Sequence, residues 1–404
     1  MRNLVSVLPF LALAACGGAG AQSVGSSAVP AGGATGGGTT GGTASSHTFV
    51  APTVEKTYSA IGGVQSYSYT TTTPTAPGGI SGQGGQLYAG DASTARNSGI
   101  TVDYNPRDGI FEVKIAAPNA GVNDTLRFQD PAHRTDFGGA RQPQVGTPQL
   151  SAGGIQYLQA GSATQPIRFA APGDMLPVGD NGGQNETDTF FYQKPGTETK
   201  YVTFAGFVRN TTKVADVTFN NVTNTTQSNV LERAAFAYGE RTDNNAVPRT
   251  GTATFNGPMI ATMVYNPLLD INSSSPTYFQ WIEGRSKTTV DFGASTFTLD
   301  LNGTVFAPQF DNFTSKAVTL QQGATFAASG SGRVDLVNAG GFLGQFNSAS
   351  FAQGGVTSPL AVAGSSIDGA FFGPAADEVG GGFRIVGGTP DQRVDIIGAF
   401  TGGK

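Results

Sequence analysis

Ile367-Asp368-Gly369-Ala370-Phe371-Phe372 runs into Gly373-Pro374-Ala375-Ala376-Asp377-Glu378-Val379-Gly380 and resumes as Gly381-Gly382-Phe383-Arg384-Ile385-Val386. The flanks carry aromatic and β-branched residues in short runs, which read as strands, and Gly373-Pro374 supplies the bend of a hairpin. Glycine inside a strand is costly in a flat sheet. It is expected where a small, strongly coiled barrel needs tight bends or close backbone approach. In that setting Phe371 is expected to fill a lumen and Glu378 to accept backbone hydrogen bonds.

The same pattern extends outward. Upstream strand candidates are Tyr201–Val208, Arg233–Tyr238, Gly251–Phe255, Ile260–Tyr265, Thr288–Phe292, Thr296–Leu301, Gly332–Val337 and Gly341–Phe346, and Val394–Phe400 follows downstream. In Thr296–Leu301, Phe297, Leu299 and Leu301 share one face. Together these predict an all-β fold whose C-terminal part, 196–404, is a closed antiparallel barrel of about eight strands; closure removes exposed edges. Residues 47–195 predict a smaller β domain. Ile100–Tyr104 and Ile110–Ile115 alternate around an Asp108-Gly109 turn, and Leu87-Tyr88 and Ile155–Leu158 read as further strands. Phe190-Phe191-Tyr192 sits where it can pack against the next unit.

Composition narrows the function. The chain has 59 glycines, only 13% charged residues and a net charge of −5, which argues against a nucleic-acid surface. A single cysteine and two histidines exclude an internal disulfide framework, a multi-cysteine zinc site and a multi-histidine metal centre. Catalysis needs a nucleophile with a base, a metal, or paired carboxylates. The sequence holds no G-x-S-x-G, and Asp377 and Glu378 are adjacent, so a strand points them to opposite faces. The expectation is a protein that is not an enzyme.

Residues 1–15 combine Arg2 with an apolar run from Leu4 to Ala15, too short to span a bilayer, as in a signal peptide. Leu13-Ala14-Ala15-Cys16 resembles a bacterial lipobox, which implies cleavage before Cys16 and a lipid (diacylglycerol, palmitate) on that residue. Gly17 in place of Asp then implies sorting to the outer membrane. Residues 16–46 are almost wholly Gly, Ala, Ser and Thr, a flexible tether reaching on the order of 30 Å. Gly36, Gly38 and Gly41 satisfy G-x-G-x-x-G, but no strand precedes them, so they form no dinucleotide site.

Three ordered motifs carry a family resemblance. Tyr238-Gly239-Glu240-Arg241-Thr242 with Val247-Pro248-Arg249-Thr250-Gly251-Thr252-Ala253-Thr254-Phe255-Asn256-Gly257 resembles a G-x-x-T…P-x-x-G-x-A-x-Y-x-G strand pair, with Phe255 in the tyrosine's place. Val290-Asp291-Phe292-Gly293 resembles a V-D-F-G strand end. Gly369 to Gly381 resembles G-x-F-x-G-P-x-A-x-E-x-G-G. These mark the barrel of the transferrin-binding protein B family of Gram-negative surface lipoproteins. The resemblance covers about 199–404 and implies an eight-stranded antiparallel soluble barrel preceded by a smaller handle-like β domain. Bilobed members carry two of each, this chain has room for one, and Phe207 stands where many members have Trp.

The resemblance implies a surface-exposed, outer-membrane lipoprotein that binds a host or environmental protein or a ligand, in iron or haem acquisition among other uses. Ligand contacts by Tyr278, Phe279 and Trp281 are one reading of that aromatic run; strand or inter-domain packing is the other. His133, in Asp130-Pro131-Ala132-His133-Arg134, is either an axial haem ligand or an ordinary loop histidine. No cofactor is implied beyond haem as a ligand. The alternatives are a structural or adhesive envelope lipoprotein, a transmembrane barrel, which needs lipid-facing strands and a terminal aromatic strand, and a secreted enzyme.

Overall fold

The computed structural model describes residues 49–74, 82–92, 97–130, 146–159, 184–219, 222–266, 278–308, 320–387 and 393–404. The expected signal segment (1–15), Cys16, the expected tether (16–46), His47 and His133 lie outside the described residues. The N-terminal part contributes β1 (Lys56–Ser59), β2 (Ile61–Pro74), β3 (Gly82–Ala92), β4 (Ile100–Asn105), β5 (Ile110–Ala117), β6 (Val122–Gln129), β7 (Ile155–Gln159), β8 (Gln184–Gln193), β9 (Val202–Phe219) and β10 (Val222–Gly239). The C-terminal part contributes β11 (Thr252–Asn266), β12 (Tyr278–Asp291), β13 (Thr296–Val305), β14 (Thr325–Asp335), β15 (Gly341–Gln353), β16 (Val356–Pro359), β17 (Val362–Phe372), β18 (Glu378–Gly387) and β19 (Arg393–Gly403).

The strands form three layers. A six-stranded sheet ordered β3-β2-β10-β9-β8-β7 stands in the middle, with a four-stranded sheet β1-β4-β5-β6 on one face and the barrel on the other. Successive strand residues point to opposite faces, so a strand covered on both sides is apolar without alternation. Phe190-Phe191-Tyr192 in β8 and Ala234-Ala235-Phe236-Ala237-Tyr238 in β10 follow that rule. Val64, Phe190, Phe207 and Phe236 pack on Val102, Phe111, Val113 and Phe128 of the smaller sheet. Ile61, Phe191, Val202, Phe204 and Ala235 pack on Ile260, Trp281, Ala370, Phe372 and Ala399 of the barrel.

The domain boundary differs from the sequence expectation. Residues 202–239 were expected in the barrel. Instead β10 pairs with β2 (Ala234↔Val64) and β9 with β8 (Phe207↔Phe190). The N-terminal sandwich therefore runs to Gly239 and the barrel starts at Thr252. Strands buried on both faces look the same in either domain, and only their pairing tells the two apart.

The barrel closes as β11-β12-β13-β14-β15-β17-β18-β19, with β19 returning to β11 (Met263↔Ile396) and β14 joined to β15 (Phe326↔Phe351). An eight-stranded barrel has an interior just wide enough for side chains to fill. Here Phe255, Leu299, Phe342, Phe371, Phe383 and Phe400 are among those that fill it. Phe297 and Phe342 lie 4.8 Å apart between ring centroids and Phe342 and Phe371 5.5 Å, so Phe371 occupies the lumen as its sequence context predicts.

Candidate binding surface

Antiparallel alternation gives the barrel two poles. At one, the near pole, β12 and β13 are joined by 292–295 and β17 and β18 by 373–377. The three sequence motifs converge there. The Thr242 N–H donates to the Phe371 carbonyl (2.9 Å), the Gly373 N–H to the Glu240 carbonyl (3.0 Å), and the Thr242 hydroxyl to the Gly373 carbonyl. Phe292 of the V-D-F-G motif packs on Phe371 at 5.6 Å. Gly373 has φ of 84°, which a Cβ would strain, and Ala376, fully buried, has φ of 55°.

Glu378 is one fastener between the two halves. Its carboxylate accepts the backbone N–H groups of Lys200 (2.6 Å), Tyr201 (2.8 Å) and Val202 (3.1 Å), just where β9 begins. Burial pushes this carboxyl above the usual range, and the three donors pull it back. Beyond it, β18 lies directly on the central sheet through glycines. A Cβ at Gly380 would come 2.6 Å from Val202 Cγ2, and one at Gly382 would come 2.5 Å from the Gly62 Cα. The close approach expected of strand glycines is made here between domains.

Of the aromatic run, Tyr278 opens β12, while Phe279 and Trp281 are buried between barrel and central sheet. The Phe279 ring stacks toward Tyr67 at 6.5 Å and carries the Arg233 guanidinium 5.1 Å above it. Burial lowers that guanidinium to about 9, and it donates to the Asn210 side chain and to the Arg209 and Glu232 carbonyls. Trp281 meets Phe191 edge-on at 5.6 Å and donates its indole N–H to the Gly146 carbonyl at 2.8 Å. The neighbouring Glu283 accepts the Ser151 and Ala152 N–H groups and the Ser151 hydroxyl. Trp281 and Glu283 thus strap 146–152 to the barrel wall. Beside the strap lies a groove of about 490 Å³, with Glu198 and Arg285 ion-paired on its wall.

Two polar clusters complete the frame, and no motif announced either. Arg384 of β18 forms two hydrogen bonds to Asp395 of β19, at 3.1 and 2.6 Å. Gln65 of β2 donates to the Tyr88 hydroxyl of β3 and to the Asp395 carbonyl. Burial first, then Asp395, raises the Tyr88 hydroxyl well above the usual phenol range. The second cluster surrounds Arg209, which pairs with Asp124 and with Asp188 (2.8 Å) and lies 3.6 Å from Glu232 and 3.9 Å from Glu186. Burial pushes Asp188 up to about 6 and Glu232 up to about 7. Among the described residues, no group of His, Cys, Asp and Glu is arranged to hold a metal ion.

The opposite, far pole has a different character. The strand ends from which 267–277, 306–324 and 388–392 depart all lie there. The central sheet runs alongside: Val202 of β9 meets Gly380 near one pole, and Tyr67 of β2 meets Phe279 toward the other. The described ends of β2 and β9 at Pro74 and Phe219, and the starts of β3 and β10 at Gly82 and Val222, therefore lie toward the far pole as well. The chain arrives at the near pole, where Phe49 packs on Tyr58 and Tyr238 at 5.2 and 5.6 Å.

Residues 247–404 match the family model described as the C-lobe and N-lobe β-barrels of Tf-binding protein B. No curated protein matches the chain. Among solved structures, a Trp-176-Ala mutant of transferrin-binding protein B from Haemophilus parasuis Hp5 aligns at 13% identity, covering 85% of this chain and 76% of that one with a TM-score of 0.30. The isotype 1 protein from serogroup B Neisseria meningitidis aligns at 14%, covering 87% and 77% with a TM-score of 0.26. These overlays are loose, and the assignment of the barrel stands on the family match and on the closed eight-stranded topology.

Proposed function

From a C-terminal barrel of the transferrin-binding protein B type, we propose that this chain is a lipid-anchored surface protein of a Gram-negative outer membrane that captures a protein partner through its far-pole connections. The observation that carries this reading is polarity. The chain arrives at one pole and the longer barrel connections leave from the other, so a tether fixed at Cys16 would turn those connections away from the membrane. The motif residues are consumed in holding the near pole together, which leaves recognition to the far pole. Binding sites concentrate on connections held by a rigid scaffold.

Cells expressing the full chain test both halves. Protease added to intact cells should remove the protein, and Cys16→Ser should release it from the membrane fraction. Protection until the outer membrane is breached would overturn surface display. Iron-loaded transferrin is the first protein probe, because the relatives are named for it, and haem is the second. Replacing 267–277 and 309–319 with short Gly-Ser linkers should abolish whatever binding is found. Binding that survives both replacements would move the site away from the far pole.

A further inference from the structure

A cavity of about 270 Å³ opens at the near-pole end of the sandwich, beneath the point where the chain arrives. Its walls include six aromatic rings, those of Phe49, Tyr58, Tyr104, Phe111, Tyr192 and Tyr238. The rings touch in two groups: Tyr104 to Phe111 at 4.4 Å and Phe111 to Tyr192 at 5.0 Å, and Phe49 to Tyr58 at 5.2 Å with Tyr238 beside both. An aromatic face carries negative potential, so rings gathered around one space attract a cation. One ring already does so, since the Lys56 ammonium lies 5.4 Å from the Tyr58 centroid while pairing with Glu240. Two charged residues, Asp130 and Lys194, also line the cavity. Asp130 is near enough to act, with burial the larger cause, on the Tyr104 and Tyr192 hydroxyls, both raised.

We propose that this cavity binds a small zwitterion with a methylated ammonium head, the head resting on the rings beside Asp130 and the anionic end meeting Lys194. A bare ammonium is strongly hydrated and loses its water to walls made largely of aromatic rings. Methylation spreads the charge over groups that donate no hydrogen bonds, so dehydration costs less and the ring faces supply the attraction. Lys194 disfavours a simple cation and favours one that brings its own carboxylate. The cavity lies just below the usual range for small-molecule sites, which suits a molecule of betaine size and excludes haem or a nucleotide. This site is independent of the protein-capturing far pole.

Titration calorimetry of the purified full chain tests it, with glycine betaine, choline and unmethylated glycine as probes. Glycine betaine should bind saturably, and glycine at least about tenfold more weakly. Lys194→Ala should erase the preference of glycine betaine over choline. Asp130→Asn, a change at the cavity wall, should weaken both methylated ligands, as should Tyr104→Ala, with circular dichroism confirming that each variant is folded. Absence of saturable binding by either methylated ligand overturns the proposal. So does binding that folded Asp130→Asn and Tyr104→Ala variants leave unchanged.

Discussion

The Glu378 carboxylate is one of the polar links between the two halves of this molecule. Glu378 is buried and accepts the backbone N–H groups of Lys200, Tyr201 and Val202. Removing such an acceptor strands the donors and forfeits charge-assisted bonds. Glu378→Ala should therefore lower stability by about 3 kcal/mol in urea unfolding, and a loss below about 1 kcal/mol would show that the donors find water instead. The acceptor role of Glu378, the bend at Gly373 and the lumen position of Phe371 were all legible in the sequence, because each follows from residue type and strand period. The donors were not legible, since Lys200 to Val202 lie far upstream and no local pattern links them to Glu378. The Arg209 cluster yields a second expectation. Asp188 and Glu232 titrate at about 6 and about 7 when folded, above the roughly 4 of an unfolded carboxyl. Between those values the folded state keeps protons that the unfolded chain has released, so stability should fall as pH rises from about 4 to 7. The melting temperature should be higher at pH 5 than at pH 8, and Glu232→Gln should flatten the upper part of the slope. A rise in melting temperature across that window would contradict the assignment.

At the level of strands, β18 lies against the central sheet through its glycines, beside side-chain contacts from β11, β12 and β19. Gly382→Ala would drive a methyl group into the Gly62 backbone, where neither side has a flexible end to yield. The expected cost is about 1–3 kcal/mol, read as a shift in the urea midpoint, whereas Gly340→Ala in the open β14–β15 turn tests left-handed strain alone. Strand existence was readable for most of the chain: the hairpin of β4 and β5 sits where Ile100–Tyr104 and Ile110–Ile115 predict it, with Gly109 at φ 63°. Strand partnership was harder. β2 reads Ile-Gly-Gly-Val-Gln-Ser-Tyr-Ser-Tyr-Thr, too polar and glycine-rich to signal that it is buried against β10. Its polar residues are accommodated by cross-layer bonds such as those of Gln65, which a pattern of hydrophobicity does not register. β12 carries the chain's only tryptophan. Trp281 is 1% exposed at the interface of the domains, so its emission should be blue-shifted and resistant to iodide quenching. If Glu378→Ala loosens the junction, quenching should rise before the strands melt; a solvent-like emission in the native chain would place Trp281 elsewhere.

The whole molecule is a stack of small sheet, central sheet and barrel, and the stack has a direction. Its near pole gathers the motif residues and the arriving chain, and its far pole carries the longer barrel connections. None of this polarity was visible in the sequence, because it depends on which strand ends share a pole, and that follows only from barrel closure. Closure has a temporal side too. The seam is formed by β19, which lies between β11 and β18 and contains residues 393–403. A chain made or exported from its N-terminus carries β11 for some 130 residues before its partner exists. Until then the ladder edges of β11 and β18 are bare, and bare edges invite pairing with other chains. A chain ending before residue 393 should accumulate as aggregates rather than as a smaller soluble fold, as sedimentation after expression would reveal. A cell that exports this protein therefore has to shield an open sheet until the last strand arrives, and the order of emergence, as much as the final contacts, decides whether the barrel forms.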